Sequence, residues 1–262
     1  MHNKPLHLLI TRPEKQGRIL ADKLSELGFE SSIQPLFDYL PLKSNFSDFV
    51  VAEQKQQLKP KRIFIFVSVA AVEYAQAEID FSPLAANDVI AVGHATQKAL
   101  LACGINAIVP SVQTSEGILA LALFSTAIEQ EVVIVRGNGG REYLAEQLQQ
   151  RGAKVHYCQV YQRQWRQLSK QCIFDWQKNQ INAIVVTSEA ILEKLYCLTS
   201  VLSQQTEQWL QTCCWFVVSE RILVKSKALG LTQVVNTQGA SDQAIIDAIQ
   251  TFQLNKSSLK TK

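Results

Sequence analysis

Six short stretches of this chain place a hydroxyl, a guanidinium or a glycine-freed backbone where an apolar run gives way to a helical pattern. They are Thr11-Arg12-Pro13, Val67-Ser68, Gly93-His94-Ala95-Thr96, Arg136-Gly137-Asn138-Gly139-Gly140-Arg141, Thr187-Ser188 and Ser219-Glu220-Arg221. In a parallel α/β sheet, ligands collect at the carboxyl ends of strands, where helix N-termini offer unpaired N–H groups and a partial positive charge. The inventory suits an anion, with Arg12, Ser68, Gly93, Thr96, Arg136, Gly137, Asn138, Ser188, Ser219 and Arg221 as its candidate ligands. A Ser or Thr in such a place is equally an ordinary helix cap, contributing about 1 kcal/mol. Arg12 and Arg136 are harder to explain that way, because a cation at a helix N-terminus opposes the dipole unless an anion joins it.

For proton transfer the candidate is Tyr161, which ends the apolar run 155–160. A phenol there can donate a proton or a hydrogen bond, and it can equally be an aromatic that fills space. Other chemistries find little support. The glycines at 137, 139 and 140 miss the GxGxxG spacing of a dinucleotide loop, since Glu142 holds the third glycine position, and there is no Walker A sequence. The four histidines (2, 7, 94, 156) are scattered, no Gly-x-Ser-x-Gly elbow occurs, and the cysteines and histidines have no metal-ligand spacing. Neither a triad nor a metal hydrolase is expected.

The elements that must position these residues come in two related sets. Ile10-Thr11-Arg12, with Leu20-Ala21, Leu24 and Gly28 behind it, returns as Ile134-Val135-Arg136 with Leu144-Ala145, Leu148 and Gly152. Short apolar runs alternate with segments of helical period, the pattern of a doubly wound, flavodoxin-like α/β fold. Strands are expected at 6–11, 30–34, 62–67, 89–92, 106–109, 132–135, 154–158, 183–186, 215–218 and 233–235. Helices are expected at 15–27, from about 70, at 95–102, 115–128 and 141–150, from about 190, up to 229, and from 241. Two extended segments, 35–42 and 158–165, occupy matching places in the copies and read as a two-stranded connector. The first lobe would then be residues 1–36 with 165–254, the second 37–164, and 255–262 a disordered basic tail. Two lobes imply a cleft, the usual place for a small ligand.

Composition agrees with two modest cores: of 262 residues 47% are hydrophobic and 19% charged. A net charge of +3 lacks the clustered basic surplus of nucleic-acid binding. The six cysteines (103, 158, 172, 197, 213, 214) form no CxxC pair and read as small buried hydrophobes of a reducing compartment. The apolar stretch ending at Ile10 is too short for a signal core or a membrane span, so a cytoplasmic protein with no membrane partner is expected.

Taken in order, several motifs resemble the uroporphyrinogen-III synthase family along essentially the whole chain. They are Leu9-Ile10-Thr11-Arg12-Pro13, Phe66-Val67-Ser68 followed by Ala71-Val72-Glu73, Val92-Gly93 with Ala95-Thr96, Thr114-Ser115-Glu116-Gly117, Arg136 to Glu142, Val160-Tyr161 and Thr187-Ser188. The resemblance implies a cofactor-independent lyase that closes linear hydroxymethylbilane, an octacarboxylate tetrapyrrole, to uroporphyrinogen III. It also implies transient contact with the preceding enzyme of the pathway, while the short connector with no large apolar insertion makes a monomer the default. It places Tyr161 as general acid or hydrogen-bond donor to the departing hydroxyl, with Ser68, Thr96 and Ser188 lining the cleft. Two positions depart from the family pattern. Ser219-Glu220-Arg221-Ile222 stands where a Gly-Pro-Thr-Thr type turn is common, and Ala70 where Asn or Arg is common. Arg221 is expected to replace the missing hydroxyls as a carboxylate ligand. The competing reading is a non-catalytic two-lobed binding module for a polyanionic small molecule.

Overall fold

A computed structural model describes residues 5–54, 62–125, 130–140, 142–200 and 204–258. The chain forms two compact units, one made of residues up to Asp38 and from Trp165 onward, the other of Tyr39–Gln164. In chain order the first unit begins with β1 (His7–Ile10), α1 (Glu14–Glu26) and β2 (Glu30–Ile33). Strand β3 (Phe37–Pro41) leads into the second unit, which continues with α2 (Phe46–Gln54), β4 (Ile63–Phe66), α3 (Val69–Gln76), β5 (Asp88–Ala91) and α4 (His94–Ala102). It is completed by α5 (Ser115–Leu119), β6 (Glu131–Gly137), α6 (Tyr143–Gln150) and β7 (Lys154–Trp165). The chain then returns to the first unit through α7 (Lys170–Lys178), β8 (Ala183–Val186), α8 (Glu189–Ser200) and α9 (Gln204–Thr212). It ends with β9 (Cys214–Val217), α10 (Glu220–Ala228), β10 (Val234–Asn236) and α11 (Asp242–Ser258).

Each unit is built on a five-stranded sheet. In the first the order is β2-β1-β8-β9-β10, with every neighbouring pair parallel. Numbered within the unit this is the 2-1-3-4-5 order of flavodoxin-like folds. In the second the order is β5-β4-β6-β7-β3, with β4 to β7 parallel. Strand β3 runs antiparallel to β7, as the bonds from Arg166 N–H to the Leu36 carbonyl (2.8 Å) and from Leu42 N–H to the Val160 carbonyl (3.0 Å) show.

Strand pleating sends alternate residues to opposite faces, and both faces are covered. In the second unit Phe64, Phe66, Val133 and Val135 pack with α2, α3 and α4 on one face, while Ile63, Ile65, Val132 and Ile134 pack with α5 and α6 on the other. In the first unit Leu8, Ile10, Val185 and Phe216 meet Leu20 and Leu24 of α1 and Ile245 and Ile249 of α11. Leu9, Ile184, Val186, Trp215 and Val217 of the alternate register are fully buried on the other side.

Some elements differ from the sequence expectation. Residues 106–109 contribute a single bridge, Ile90 to Ile108, instead of a strand. Pro110 withholds a backbone donor and biases Val109, so the ladder stops there. The helix expected over 115–128 ends at Leu119, where the chain turns at the extended Leu121 into a short 3-10 turn that buries Phe124; residues 126–129 lie outside the described set. Helix α6 starts at Tyr143, later than expected, and Arg141 is likewise outside. Residues 154–165 form one continuous strand in place of two segments. The disorder expected from residue 255 is overturned for 255–258, because α11 runs to Ser258, with Lys256 over the Phe252 ring at 5.6 Å; residues 259–262 are outside the description. Cys158, Cys213 and Cys214 are buried, but Cys197 is exposed, against the expectation of a buried thiol. Among the described residues no helix is long and apolar enough to cross a membrane.

Candidate active site

The carboxyl end of the second unit's sheet holds a cavity of about 280 Å3 whose lining includes Tyr39, Ser68, Arg136, Gly137, Tyr157, Tyr161 and Arg163. Four of the candidate residues, Ser68, Arg136, Gly137 and Tyr161, are thus brought together. Each arrives there for a local reason. Ser68 follows β4 in extended conformation and caps α3, its Oγ accepting the Ala71 N–H at 3.1 Å. Arg136 and Gly137 are the last two residues of β6.

Tyr161 is placed by an irregularity in β7. Up to Arg136, which pairs with Gln159, the β6–β7 register is regular; Gly137 then pairs with Tyr161, so Val160 is an extra residue. A bulge of this kind re-aims the side chain that follows it. Without it Tyr161 would face away from Cys158 and Val160, yet all three pack in the same core cluster. The Asn138 N–H donates to the Tyr161 carbonyl at 2.6 Å and pins the strand beyond the bulge. The phenol is 5% exposed and its oxygen lies 3.2 Å from Ser68 Oγ. Its ring meets Tyr39 edge-on, centroids 4.7 Å apart, and Tyr74 at 5.5 Å. Burial raises the Tyr39 phenol above its ordinary range, the neighbouring Tyr161 adds to this, and Arg163 partly offsets it by charge and a hydrogen bond.

Two glycines of this stretch have a steric role. A Cβ on Gly137 would lie 2.4 Å from the Tyr161 ring, and one on Gly140, where φ is +124°, would lie 2.7 Å from Arg136 Nη2. The two glycines leave room for the two side chains that the site is built from. Arg136 is 5% exposed. Its Nη1 lies 3.1 Å from Glu142 Oε1, and its guanidinium stacks over the Tyr157 ring at 4.8 Å. The Tyr157 hydroxyl donates to Glu142 Oε2. That hydrogen bond, with the charge of Arg136, holds the Glu142 carboxyl below the usual carboxylate range. Burial and the same hydrogen bond push Tyr157 up to about 12.

The remaining candidates have local roles within their own units. Gly93 precedes α4 and is covered by Gln113, whose Oε1 accepts the His94 N–H at 3.1 Å; Thr96 is buried on α4. In the first unit Ser188 and Ser219 serve as helix caps, accepting from Ile191 N–H at 3.3 Å and Ile222 N–H at 3.5 Å. Arg12 meets its anion within the chain: Nη1 is 2.6 Å from Asp242 Oδ1, Nη2 donates to the Ala240 carbonyl, and Lys23 holds the other carboxylate oxygen at 2.7 Å. Arg221 is largely exposed, with Nε 3.4 Å from Glu189. Ala70, at the other departure from the family pattern, is buried in the core. Sequence reading missed Tyr39, Tyr157, Arg163 and Glu142. Glu142 stands in the motif Arg136 to Glu142, but strand alternation could not have grouped Tyr157 with Tyr161, because the extra residue Val160 sends the two rings to different core clusters. Among the described residues no group of three or more His, Cys, Asp or Glu is arranged to hold a metal ion.

Residues 19–247 match the family model described as uroporphyrinogen-III synthase HemD. The chain is 30% identical over 251 residues to the uroporphyrinogen-III synthase of Escherichia coli K12, with 94% of this chain and all of the relative covered. The same identity over 252 residues relates it to the uroporphyrinogen-III synthase of Salmonella typhimurium LT2, again covering 94% of this chain and all of the relative. Among solved structures, a mutant uroporphyrinogen III synthase from the extremely thermophilic bacterium Thermus thermophilus superposes with a TM-score of 0.60 at 14% identity, covering 96% of this chain and 99% of that one. A uroporphyrinogen-III synthetase from Helicobacter pylori 26695 gives 0.59 at 11% identity, covering 94% and 99%. The structural likenesses bear on fold, and the near full-length sequence matches on ancestry: this chain belongs to the uroporphyrinogen-III synthase family.

Proposed function

We propose that this protein closes linear hydroxymethylbilane to uroporphyrinogen III with loss of water and inversion of ring D, as a lyase that needs no cofactor. The observation that carries the reading is the family match over residues 19–247. In this reading the C–O bond of the ring A hydroxymethyl group breaks and the oxygen leaves as water, giving an azafulvene. The substituted carbon of ring D attacks it, and the spiro intermediate fragments and recloses with ring D reversed. The departing oxygen needs a proton, and Tyr161 is the group assigned to supply it or to hydrogen-bond to it.

A cavity of about 280 Å3 supports a narrower statement. It lies near the lower end of the roughly 300–1,000 Å3 typical of sites that enclose a drug-sized ligand, a volume suited to one substituted pyrrole. The ring whose hydroxyl leaves is the one that needs Tyr161, which assigns ring A to this cavity. Arg136 and the N-terminal N–H groups of α3 are suited to its carboxylates, and hydrogen bonds to charged groups contribute roughly 1.5–3 kcal/mol each. The azafulvene closes to the uninverted isomer without assistance, so the protein's main contribution is to hold the chain folded for the spiro attack, an effect of positioning.

The experiment is to supply freshly made hydroxymethylbilane and identify the uroporphyrinogen isomer that accumulates. Type III is expected. Type I alone, at the rate of the buffer control, would overturn the assignment.

A further inference from the structure

Arg136 lines the cavity beside Tyr161, yet its guanidinium is already met by a carboxylate of the same chain. Three features of this pairing stand out. Arg136 is buried at the end of a central strand and is stacked on Tyr157 at 4.8 Å, so its position is fixed by the fold. Glu142 is about half exposed, touches it through one Nη1–Oε1 approach of 3.1 Å, and sits just past the loop containing Gly139 and Gly140, both at positive φ. A bidentate fork between arginine and carboxylate is the stronger geometry, and it is not formed here. The fixed partner is therefore the cation, and the replaceable one is the anion.

We infer that Glu142 is an internal stand-in for a substrate carboxylate: it neutralises Arg136 in the free protein and gives way when a carboxylate-bearing pyrrole enters the cavity beside Tyr161. This deepens the proposed function and rests on it for the identity of the ligand. Exchange of one carboxylate for another keeps the buried guanidinium paired at every stage, which avoids the cost of an uncompensated buried charge. The Tyr157 hydroxyl, which donates to the other oxygen of Glu142, gives the carboxylate a second hold and sets how readily it leaves. Glu142 thereby acts as a specificity filter, because only a ligand that brings its own carboxylate to Arg136 can displace it without leaving the cation unpaired.

The test compares the full-length wild type with Glu142→Gln, Tyr157→Phe and Arg136→Gln, using a non-reacting monopyrrole that carries one acetate and one propionate side chain, with binding measured by calorimetry. Removing a competitor raises apparent affinity by the inverse of the fraction of molecules that were competent, so Glu142→Gln should bind about 5- to 10-fold more tightly. Tyr157→Phe should bind about 2-fold more tightly on the same argument. Arg136→Gln should lose binding, and adding Glu142→Gln to it should restore nothing. In turnover of hydroxymethylbilane the gain from Glu142→Gln should appear as a lower KM. Equal or weaker monopyrrole binding by Glu142→Gln, together with no gain in Tyr157→Phe, would overturn the inference. Should Arg136→Gln fail to fold, Glu142→Gln and Tyr157→Phe still decide it. A wild type that yields only the type I isomer but shows the expected binding series would strike the synthase reading and leave the exchange standing.

Discussion

The phenolic oxygen of Tyr161 lies 3.2 Å from Ser68 Oγ, and that same Oγ accepts the N–H of Ala71 at the start of α3. The capping bond fixes the serine rotamer. With one lone pair engaged by Ala71, the Ser68 hydroxyl can donate to Tyr161 and leave the phenolic hydrogen directed at the cavity. The first turn of α3 also presents a partial positive charge to the oxygen that would gain negative charge as a proton leaves.

Tyr161→Phe keeps the ring packing against Tyr39 and Tyr74 and removes the hydroxyl alone. Turnover should fall by up to ~10²-fold, the range of acid-base assistance. Ser68→Ala should slow turnover less and in addition destabilise the fold by about 1 kcal/mol through loss of the cap. Single-turnover rates and thermal melts of both variants separate the two effects, and a Phe variant with unchanged turnover would remove the acid assignment.

Gly137→Ala tests the same site from the other side. Its Cβ would meet the Tyr161 ring at 2.4 Å, so either the ring or the strand end must move. Overpacking of this kind costs about 1–3 kcal/mol. Activity should fall at least as far as in Tyr161→Phe while the protein remains folded, and a near-wild-type rate would show that the phenol's position is unimportant.

Much of the fold was legible because strand and helix periods differ and glycine marks helix ends. Gly28 and Gly104, each at φ +80°, close α1 and α4 where the sequence placed them. Tyr161 was legible only by position. What aims it is the extra residue Val160, and a bulge changes pairing without changing composition. The helix α2 was missed although Phe46, Phe49 and Val50 hold the i, i+3, i+4 spacing of one helix face and pack in the core, because the adjoining Val51 and Ala52 extend the apolar run beyond that face. Arg12 and Arg136 looked alike in sequence, both ending a strand before a helix. They differ in the groups that distant sequence brings to them: Asp242, 230 positions away, closes on Arg12, whereas Glu142 closes on Arg136 from the adjoining loop. No local pattern reports the first of these.

The thiols should divide by environment. Burial pushes Cys158 up to about 11 and Cys214 up to about 12, and raises Cys213 further still. The thiolate is the reactive form, so these three should resist alkylation in the native protein at pH 8, while the exposed Cys197 reacts. Mass spectrometry after brief iodoacetamide treatment gives the order, and early modification of Cys213 would contradict the buried placement.

The Arg12–Asp242 pair sets a limit on acid stability. Burial by itself would raise the Asp242 carboxyl, but hydrogen bonds from Lys23 and Arg12, with their charges, outweigh it and hold the group below its ordinary range. A depressed native pKa means that the folded state favours the ionised form. Its stabilisation is complete above the unfolded-state value of about 3.9, and it fades as pH falls through the lower native value. Chemical denaturation curves should therefore be flat in this contribution from pH 7 to about 5 and lose stability below about 4. Asp242→Asn removes the charge and leaves the buried Arg12 guanidinium without its carboxylate, which should cost about 2–3 kcal/mol at pH 7 and flatten the acid decline. The cost cannot come from packing, because Asn has nearly the same shape. If Asp242→Asn is as stable as wild type at pH 7 and declines as steeply in acid, the pair is not what holds α11 to β1, and Arg12 would be available as a ligand for an external carboxylate.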